Sequence, residues 1–152
     1  MSKTTRQKEK LLVLLEILQR ESDENHPLAT PRLIEKIQAR GIAAERKSVY
    51  DDLETLRRQG YDIVLRRGQG YYLGEREFQL AELKLLVDAV QSSRFITAKK
   101  SNELIEKLEH QTSIYGAQAL QRQVYVAGRV KSMNESVYYN IDAIHKAIGE
   151  IG

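Results

Sequence analysis

The sequence predicts a mainly α protein of the α+β class, whose principal β element is a short hairpin near the middle of the chain. Two observations carry this prediction. Apolar residues recur at three- and four-residue steps in several long segments, as they do on one face of a helix. Only residues 61–73 combine strand-like alternation with glycines that permit a tight reversal. We predict two modules, over residues 1–74 and 75–152.

The charged residues are distributed unevenly between these modules. Residues 1–74 hold 14 Lys and Arg against 11 Asp and Glu and carry the whole net charge of +3, whereas residues 75–152 hold 10 of each. This bias favours a polyanion-binding module joined to a neutral region. The absence of Cys excludes disulfides and thiol chemistry. No segment has the apolar length of a secretory signal or a membrane span, so we expect a cytoplasmic protein with no membrane partner.

Three helices are predicted before the hairpin. The first runs from Lys8 to about Glu21, and its apolar face is wider than one small partner would cover. The second opens at Thr30, which can cap the free amide groups, with Pro31 at the first helical position. It ends at Gly41, and four residues lead into a third helix over 45–59. Because the connection is so short, the second and third helices must cross steeply, as in a helix-turn-helix.

The hairpin follows the third helix directly. Tyr61 to Arg66 alternates as a strand with Ile63 and Leu65 on one side, and Gly68 and Gly70 allow the chain to return. The order of helix, turn, basic helix and hairpin is that of a winged helix-turn-helix domain with a two-stranded wing.

The second half is predicted to be a helical linker and dimerisation region with one short strand. A hinge at 74–78 precedes it. The predicted elements are a helix over 79–93, a helix capped by Thr97, a helix over 113–122, a strand over 123–130 and a final helix from Ser132 to about Ile148.

The third helix carries the candidate DNA-binding side chains. Val49, Leu53 and Leu56 recur at the helical period and are predicted to face inward. Since each residue turns the helix by about 100°, a set of polar side chains lies on the opposite face or beside it: Arg46, Lys47, Ser48, Tyr50, Asp51 and Arg58. Lys and Arg can pair with guanine, and hydroxyl groups suit phosphates or base edges. Asp51 can orient an Arg or accept from cytosine N4, and Tyr50 fits either a groove contact or packing against the first helix.

Two further places supply candidate contacts. Arg66, Arg67 and Gln69 lie at the hairpin tip, where a cationic loop can approach the neighbouring groove. Arg32 lies beside the start of the second helix, whose amide groups favour a phosphate.

These residues resemble those of bacterial WYL-domain transcription regulators. The resemblance rests on 46–53 (RKSVYDDL) and 67–73 (RGQGYYL), and continues through 93–97 (SRFIT) and the 134–148 helix into the family's helical linker. It covers nearly the whole chain from Lys8. It implies sequence-specific regulation of transcription, double-stranded DNA as partner, a homodimer, and a cytoplasmic, nucleoid-associated bacterial location.

The chain departs from that family in two ways. Many relatives carry Arg at the position of Asp51, which changes the expected base contact. The chain also stops at Gly152, about where the ligand-sensing WYL domain would begin, and it contains no Trp. We expect either a truncated chain or a naturally short member, with the effector ligand bound outside this segment.

Two other classes of function compete with DNA binding: an enzyme and a protein-binding module. Asp142 and His145 are spaced for one side of a helix, but no third ligand accompanies them and no phosphate-binding loop or nucleophile elbow is present. The sequence therefore predicts no enzyme activity, no metal and no cofactor. The alternative is a winged helix that binds protein through the same face, as the acidic residues Asp51, Asp52 and Glu54 permit.

Overall fold

The computed structural model describes residues 3–124 and 148–149. These residues are mainly helical with one two-stranded antiparallel sheet, which confirms the α+β class. The elements in chain order are α1 (Lys3–Glu21), α2 (Thr30–Gln38), α3 (Arg46–Arg58), β1 (Ile63–Arg66), β2 (Gly70–Leu73), α4 (Leu80–Ser92), α5 (Ala98–Glu109) and α6 over 114–124.

Among the described residues, most of the buried apolar side chains form two clusters. The first is built by α1, α2, α3, the α2–α3 connection and the hairpin, and it includes the three residues of α3 that were predicted to face inward. Its members are Leu14, Ile17, Leu18, Leu33, Ile37, Ile42, Ala44, Val49, Leu53, Leu56, Ile63 and Leu73. The second cluster joins α4, α5 and α6 through Leu83, Val87, Ile105 and Leu120. The segment 74–79 lies between the two clusters in sequence.

Several predicted boundaries agree closely with the structure. The third helix was predicted over 45–59 and is observed at Arg46–Arg58. Thr97 caps α5 as predicted, because its Oγ1 accepts a hydrogen bond from the backbone N–H of Lys100 at 3.2 Å. The first helix begins earlier than predicted, at Lys3.

Thr30 does not cap α2, contrary to the prediction. The N-cap is Ala29, in extended conformation, and Thr30 is buried within the first turn with Pro31 beside it. The cause is a backbone bridge between Leu28 and Tyr71 of β2. This bridge holds the chain extended up to Ala29, and the helix then starts at Thr30, one residue earlier than the capping pattern indicated.

The predicted strand over 123–130 is wrong where the structure describes it. Residues 123 and 124 belong to α6, and Val124 packs against the second cluster, so its apolar side chain serves a helix face. Residues 125–130, the pair Asp142 and His145, and most of the predicted final helix lie outside the described residues. Residues 148 and 149 are helical.

The wide apolar faces of the first and fourth helices are mostly covered within the chain. Residues on the flanks of α1 pack against the first cluster, and those of α4 pack against the second. Among the described parts of these helices, large apolar side chains remain exposed at Leu12 and Leu85, and Phe95 is exposed just after α4. Of these, Leu12 and Leu85 belong to the wide apolar faces from which a dimer is expected, whereas Phe95 lies outside them.

The predicted hinge over 74–78 is anchored at its centre. The Arg76 guanidinium donates hydrogen bonds to the carbonyl oxygens of Gln19 at 2.6 Å and Ser22 at 2.7 Å. These carbonyls lie at the end of α1, where a helix has no further amide groups to offer them. Arg76 therefore fastens the chain after the hairpin to the C-terminus of α1.

Candidate nucleic-acid interface

Local hydrogen bonds define the start of α3. The Ser48 hydroxyl accepts from the backbone N–H of Glu45 at 3.4 Å, as in a capping box, and donates to the Glu45 carbonyl at 3.0 Å. Arg46 and Lys47 consequently lie in the first turn of the helix, and both are exposed.

A buried lysine holds α3 against α1. Lys10 is completely buried, and its Nζ lies 2.8 Å from the Ser48 hydroxyl and 2.7 Å from the Asp52 carboxylate. A charge in the interior is tolerated only when it is paired in this way. The prediction that Ser48 contacts DNA meets an obstacle here, because its hydroxyl already bonds to Lys10 and Glu45. The signal that sequence reasoning missed is the position of Lys10 on the apolar stripe it shares with Leu14 and Leu18.

The outer face of α3 is polar and open to solvent. Lys47, Asp51 and Arg58 are exposed, as predicted, and Tyr50 is 40% exposed. Arg58 donates to the Thr55 hydroxyl at 3.1 Å. Within the described part of the chain, neither Lys47 nor Asp51 has a side-chain partner, although one helical turn separates them.

The register of the hairpin assigns its side chains to two faces. Leu65 pairs with Tyr71 and Ile63 pairs with Leu73, and paired residues share a face. Ile63 and Leu73 are buried in the first cluster, whereas Leu65, expected beside Ile63, is 49% exposed. The apolar face of β1 therefore runs past the edge of the core toward the hairpin tip.

Tyr71 brings this face of the hairpin close to α3. Burial raises the pKa of the Tyr71 hydroxyl, the nearby Tyr50 hydroxyl raises it further, and Arg57 opposes the shift. Arg57 also bonds the two elements directly, since its Nε donates to the Ile63 carbonyl at 3.1 Å. The hairpin is thus fastened to the C-terminal half of α3.

Arg66 lies on the opposite face of the hairpin from these residues. Its guanidinium donates to the Glu24 carbonyl at 2.7 Å and stacks 5.1 Å from the centre of the Tyr72 ring. The structure therefore separates the two arginines that were predicted to act together. Arg67 and Gln69 remain exposed at the tip, whereas Arg66 is turned back toward the loop after α1.

The second strand of the hairpin has a neighbour that sequence reasoning missed. Leu28 and Tyr71 exchange two backbone hydrogen bonds, of 2.7 and 2.8 Å. Gly70 is necessary for this contact, since it has φ of +128° and a side chain there would overlap the backbone of Leu28 and Ala29. The bridge joins the hairpin to the residue pair that precedes α2.

The amide groups at the start of α2 are less available than predicted. The backbone N–H of Arg32 donates to the Ala29 carbonyl at 2.9 Å. The Arg32 guanidinium pairs with Glu35 at 2.9 Å, with both side chains largely exposed. Such a surface pair is weak and readily exchanged, so the Arg32 side chain can still reach an anion.

The helices and strands that build the first cluster carry many Lys and Arg side chains. Most of these side chains have a partner within the chain. Arg32, Lys36, Arg40 and Arg57 form ion pairs, and others donate to carbonyl groups. Within residues 6–73, all of which the structure describes, the Lys and Arg side chains without a partner are Lys8, Arg46, Lys47 and Arg67. Three of these four lie in the first turn of α3 or at the hairpin tip.

The sequence matches no family model, and comparisons with curated proteins and with solved structures found no similar protein. Among the residues that the structure describes, no helix is long and apolar enough to cross a lipid bilayer. The same residues contain no group of His, Asp and Glu side chains that could hold a metal ion.

Proposed function

We propose that this chain is the DNA-binding part of a bacterial transcription regulator that recognises a specific sequence. In this proposal α2 and α3 form a helix-turn-helix, α3 enters the major groove, and the hairpin is the wing on the adjacent groove. The observation that carries it is the position of Arg46, Lys47 and Arg67, three cations that have no partner among the residues that the structure describes. A surface that binds phosphates needs cations that the protein has not neutralised itself.

The positions of these cations suggest that some of them contact bases and others contact phosphates. Arg46 and Lys47 lie at the N-terminal end of α3, the end that such helices direct at base edges, where each can donate to guanine O6 and N7. Arg67 lies on a loop with glycine on its C-terminal side, which suits close approach to a phosphate backbone. Arg32 is a further phosphate contact, and Arg66 acts by holding the hairpin.

The resemblance to WYL-domain regulators supports the same assignment. It implies a homodimer on double-stranded DNA, a cytoplasmic and nucleoid-associated location, and an effector site outside this segment. We propose these properties together with the function, and we propose no enzymatic activity.

The proposal is tested by selecting bound sequences from a random DNA pool and then measuring affinity for the selected duplex across salt concentrations. Specific binding should give an enriched motif. Because each neutralised phosphate releases counterions, the logarithm of the association constant should fall with the logarithm of salt with a slope of about 0.9 per phosphate. The control variant is Lys100→Ala, which removes one cation from α5, where Lys100 lies 3.6 Å from Glu103. It should leave both measurements unchanged.

A protein-binding winged helix is the second candidate, and a specific observation favours it. Leu65, Tyr50 and Tyr61 are exposed near α3 and the hairpin, and the carboxylates of Asp51 and Glu54 are exposed on α3 itself. Exposed apolar and aromatic side chains beside carboxylates suit a protein partner better than a phosphate backbone. If no motif is enriched and any DNA binding is weak at physiological salt, this second function is favoured instead.

A further inference from the structure

The loop after α1 occupies a central position in the molecule. Residues 22–26, which we call the junction turn, are held by Asp23, whose carboxylate accepts from His26 Nδ1 at 2.8 Å and from the Asn25 backbone N–H at 2.9 Å. The Ser22 hydroxyl is buried and donates to the Leu18 carbonyl at 2.6 Å. These bonds connect Asp23 to His26 and Asn25 within the turn, and Ser22 to the end of α1.

One side of the junction turn contacts the helical region, residues 80–124. The Ser113 hydroxyl donates to the second carboxylate oxygen of Asp23 at 2.8 Å. The His26 ring stacks on the Tyr115 ring, with centroids 3.5 Å apart and planes inclined by 4°. Beside the turn, Arg20 donates to the Glu109 and Thr112 carbonyl groups. Hydrogen bonds and one aromatic stack therefore join the junction turn to the helical region.

The other side of the junction turn contacts the hairpin through both of its strands. Arg66 of β1 donates to the Glu24 carbonyl at 2.7 Å, and the backbone N–H of Leu73 in β2 donates to the Ser22 hydroxyl at 3.1 Å. The turn thus stands between the helical region and the hairpin and bonds to each.

Asp23 keeps its charge in this position. Burial raises the pKa of its carboxyl group, but the hydrogen bonds from His26, Ser113 and the Asn25 amide outweigh burial and bring the pKa below its usual value. The carboxylate therefore remains an acceptor for Ser113 and His26 at neutral pH.

We propose that the junction turn transmits the placement of the helical region to the hairpin, with Ser113 and Tyr115 as positioning residues for the wing. A displacement of α6 would move Tyr115, the turn would follow through His26 and Asp23, and the hairpin would follow through Arg66 and Leu73. The coupling between the helical region and the hairpin depends only on these contacts. Its consequence, a change in DNA affinity without a change in base preference, rests on the proposed function.

The test compares Tyr115→Ala with Ile114→Ala, a neighbouring variant whose side chain is partly exposed on the same helix. Amide hydrogen exchange in the full chain should accelerate about 3- to 10-fold at Gln69 and Leu73 of the hairpin in Tyr115→Ala. It should change little at Val49 and Leu53 of α3. Tyr115→Phe keeps the stacked ring and should restore the exchange rates.

The same variants are then measured on the duplex selected from the random pool. We expect Tyr115→Ala to lose about 3- to 10-fold in affinity, within the range that coupling contacts contribute, while the selected motif stays the same. Ile114→Ala should bind like the unaltered chain.

Two results would overturn the proposal: hairpin exchange that does not change in Tyr115→Ala, or exchange that accelerates equally in α3 and the hairpin. If Tyr115→Ala does not fold, Ser113→Ala is subject to the same criteria; it removes the hydrogen bond to Asp23 and the one that the Ser113 hydroxyl accepts from the Gly116 backbone N–H at 3.1 Å. If the unaltered chain binds no DNA, the proposed function fails, and the exchange data still decide the role of the junction turn.

Discussion

At the scale of single residues, the availability of a side chain distinguishes a contact residue from a structural one. Ser48 and Arg66 have suitable chemistry for DNA, but both are hydrogen-bonded within the chain. Lys47 and Arg67 are exposed and, within the described residues, have no partner. We therefore expect Lys47 and Arg67 to contribute more to the free energy of DNA binding than Ser48 and Arg66.

The roles of Lys47 and Arg67 can be separated by substitution. We expect Lys47→Ala to reduce discrimination between the selected duplex and random DNA by about 1–3 kcal/mol, because it removes a base contact. Arg67→Ala should weaken binding to both duplexes alike and lower the salt slope by about 1, because it removes a phosphate contact. Fluorescence anisotropy titrations at several salt concentrations measure both quantities. Equal changes in specificity from the two variants would contradict this division.

Asp51 should select a base. A carboxylate on the exposed face of α3 is repelled by phosphates, so its favourable partner in the groove is the amino group of cytosine. Asn at the same position pairs with adenine instead. We expect Asp51→Asn to change one position of the selected motif from cytosine to adenine in each half-site. Tighter binding to all DNA with an unaltered motif would mean that Asp51 only repels the backbone.

At the scale of elements, the stability of the hairpin depends more on Gly70 than on Gly68. Both Gly68 and Gly70 have positive φ, but a side chain at Gly68 would enter open space, whereas one at Gly70 would overlap the backbone of Leu28 and Ala29. We expect Gly68→Ala to lower the free energy of unfolding by about 1 kcal/mol, through backbone strain alone. Gly70→Ala should cost at least about 2 kcal/mol, since strain and loss of the Leu28–Tyr71 bridge combine.

Urea unfolding of the two glycine variants measures the difference. Gly68→Ala is the matched control, because it makes the same chemical change in the same hairpin. A similar loss of stability in both variants would show that the approach of Leu28 to Gly70 contributes nothing.

Elements with local signals could be predicted from the sequence, and contacts between distant segments could not. The bounds of α3 follow from its apolar period, and the hairpin follows from its glycines. By contrast, the burial of Lys10 depends on Ser48 and Asp52, about forty residues away in sequence. The Leu28 bridge likewise depends on Tyr71, and it moved the cap of α2 from Thr30 to Ala29. The exposed side chains of α3 and of the hairpin tip could therefore be predicted from the sequence, while the contacts that position these two elements could not.

At the scale of the whole molecule, the exposed apolar residues bear on assembly. Phe95 is 97% exposed and Leu85 is 69% exposed, and large apolar groups of this kind are common where subunits meet. We expect sedimentation at micromolar concentration to show a species of twice 17.5 kDa. Phe95→Ser should shift it toward the monomer, and Leu12→Ser, on α1, is the control. A single monomeric species in the unaltered chain would refute the dimer, and dissociation by Leu12→Ser alone would place the interface on α1.

The contact between the helical region and the junction turn should depend on pH through Asp23. The pKa of this carboxyl is lowered in the folded chain, so its stabilising effect is complete above the unfolded value of about 3.9 and is lost as the pH falls through the folded value. We therefore expect Asp23→Asn to be less stable than the unaltered chain at pH 5, and the difference between their urea midpoints to shrink by pH 3. Comparison of the two chains over this range isolates the carboxyl, because they differ only at this group. Glu24→Gln, at an exposed neighbour whose carbonyl rather than its carboxylate holds Arg66, should not reproduce the effect. A difference in midpoint that stays constant from pH 5 to pH 3 would mean that the Asp23 charge does not stabilise the turn.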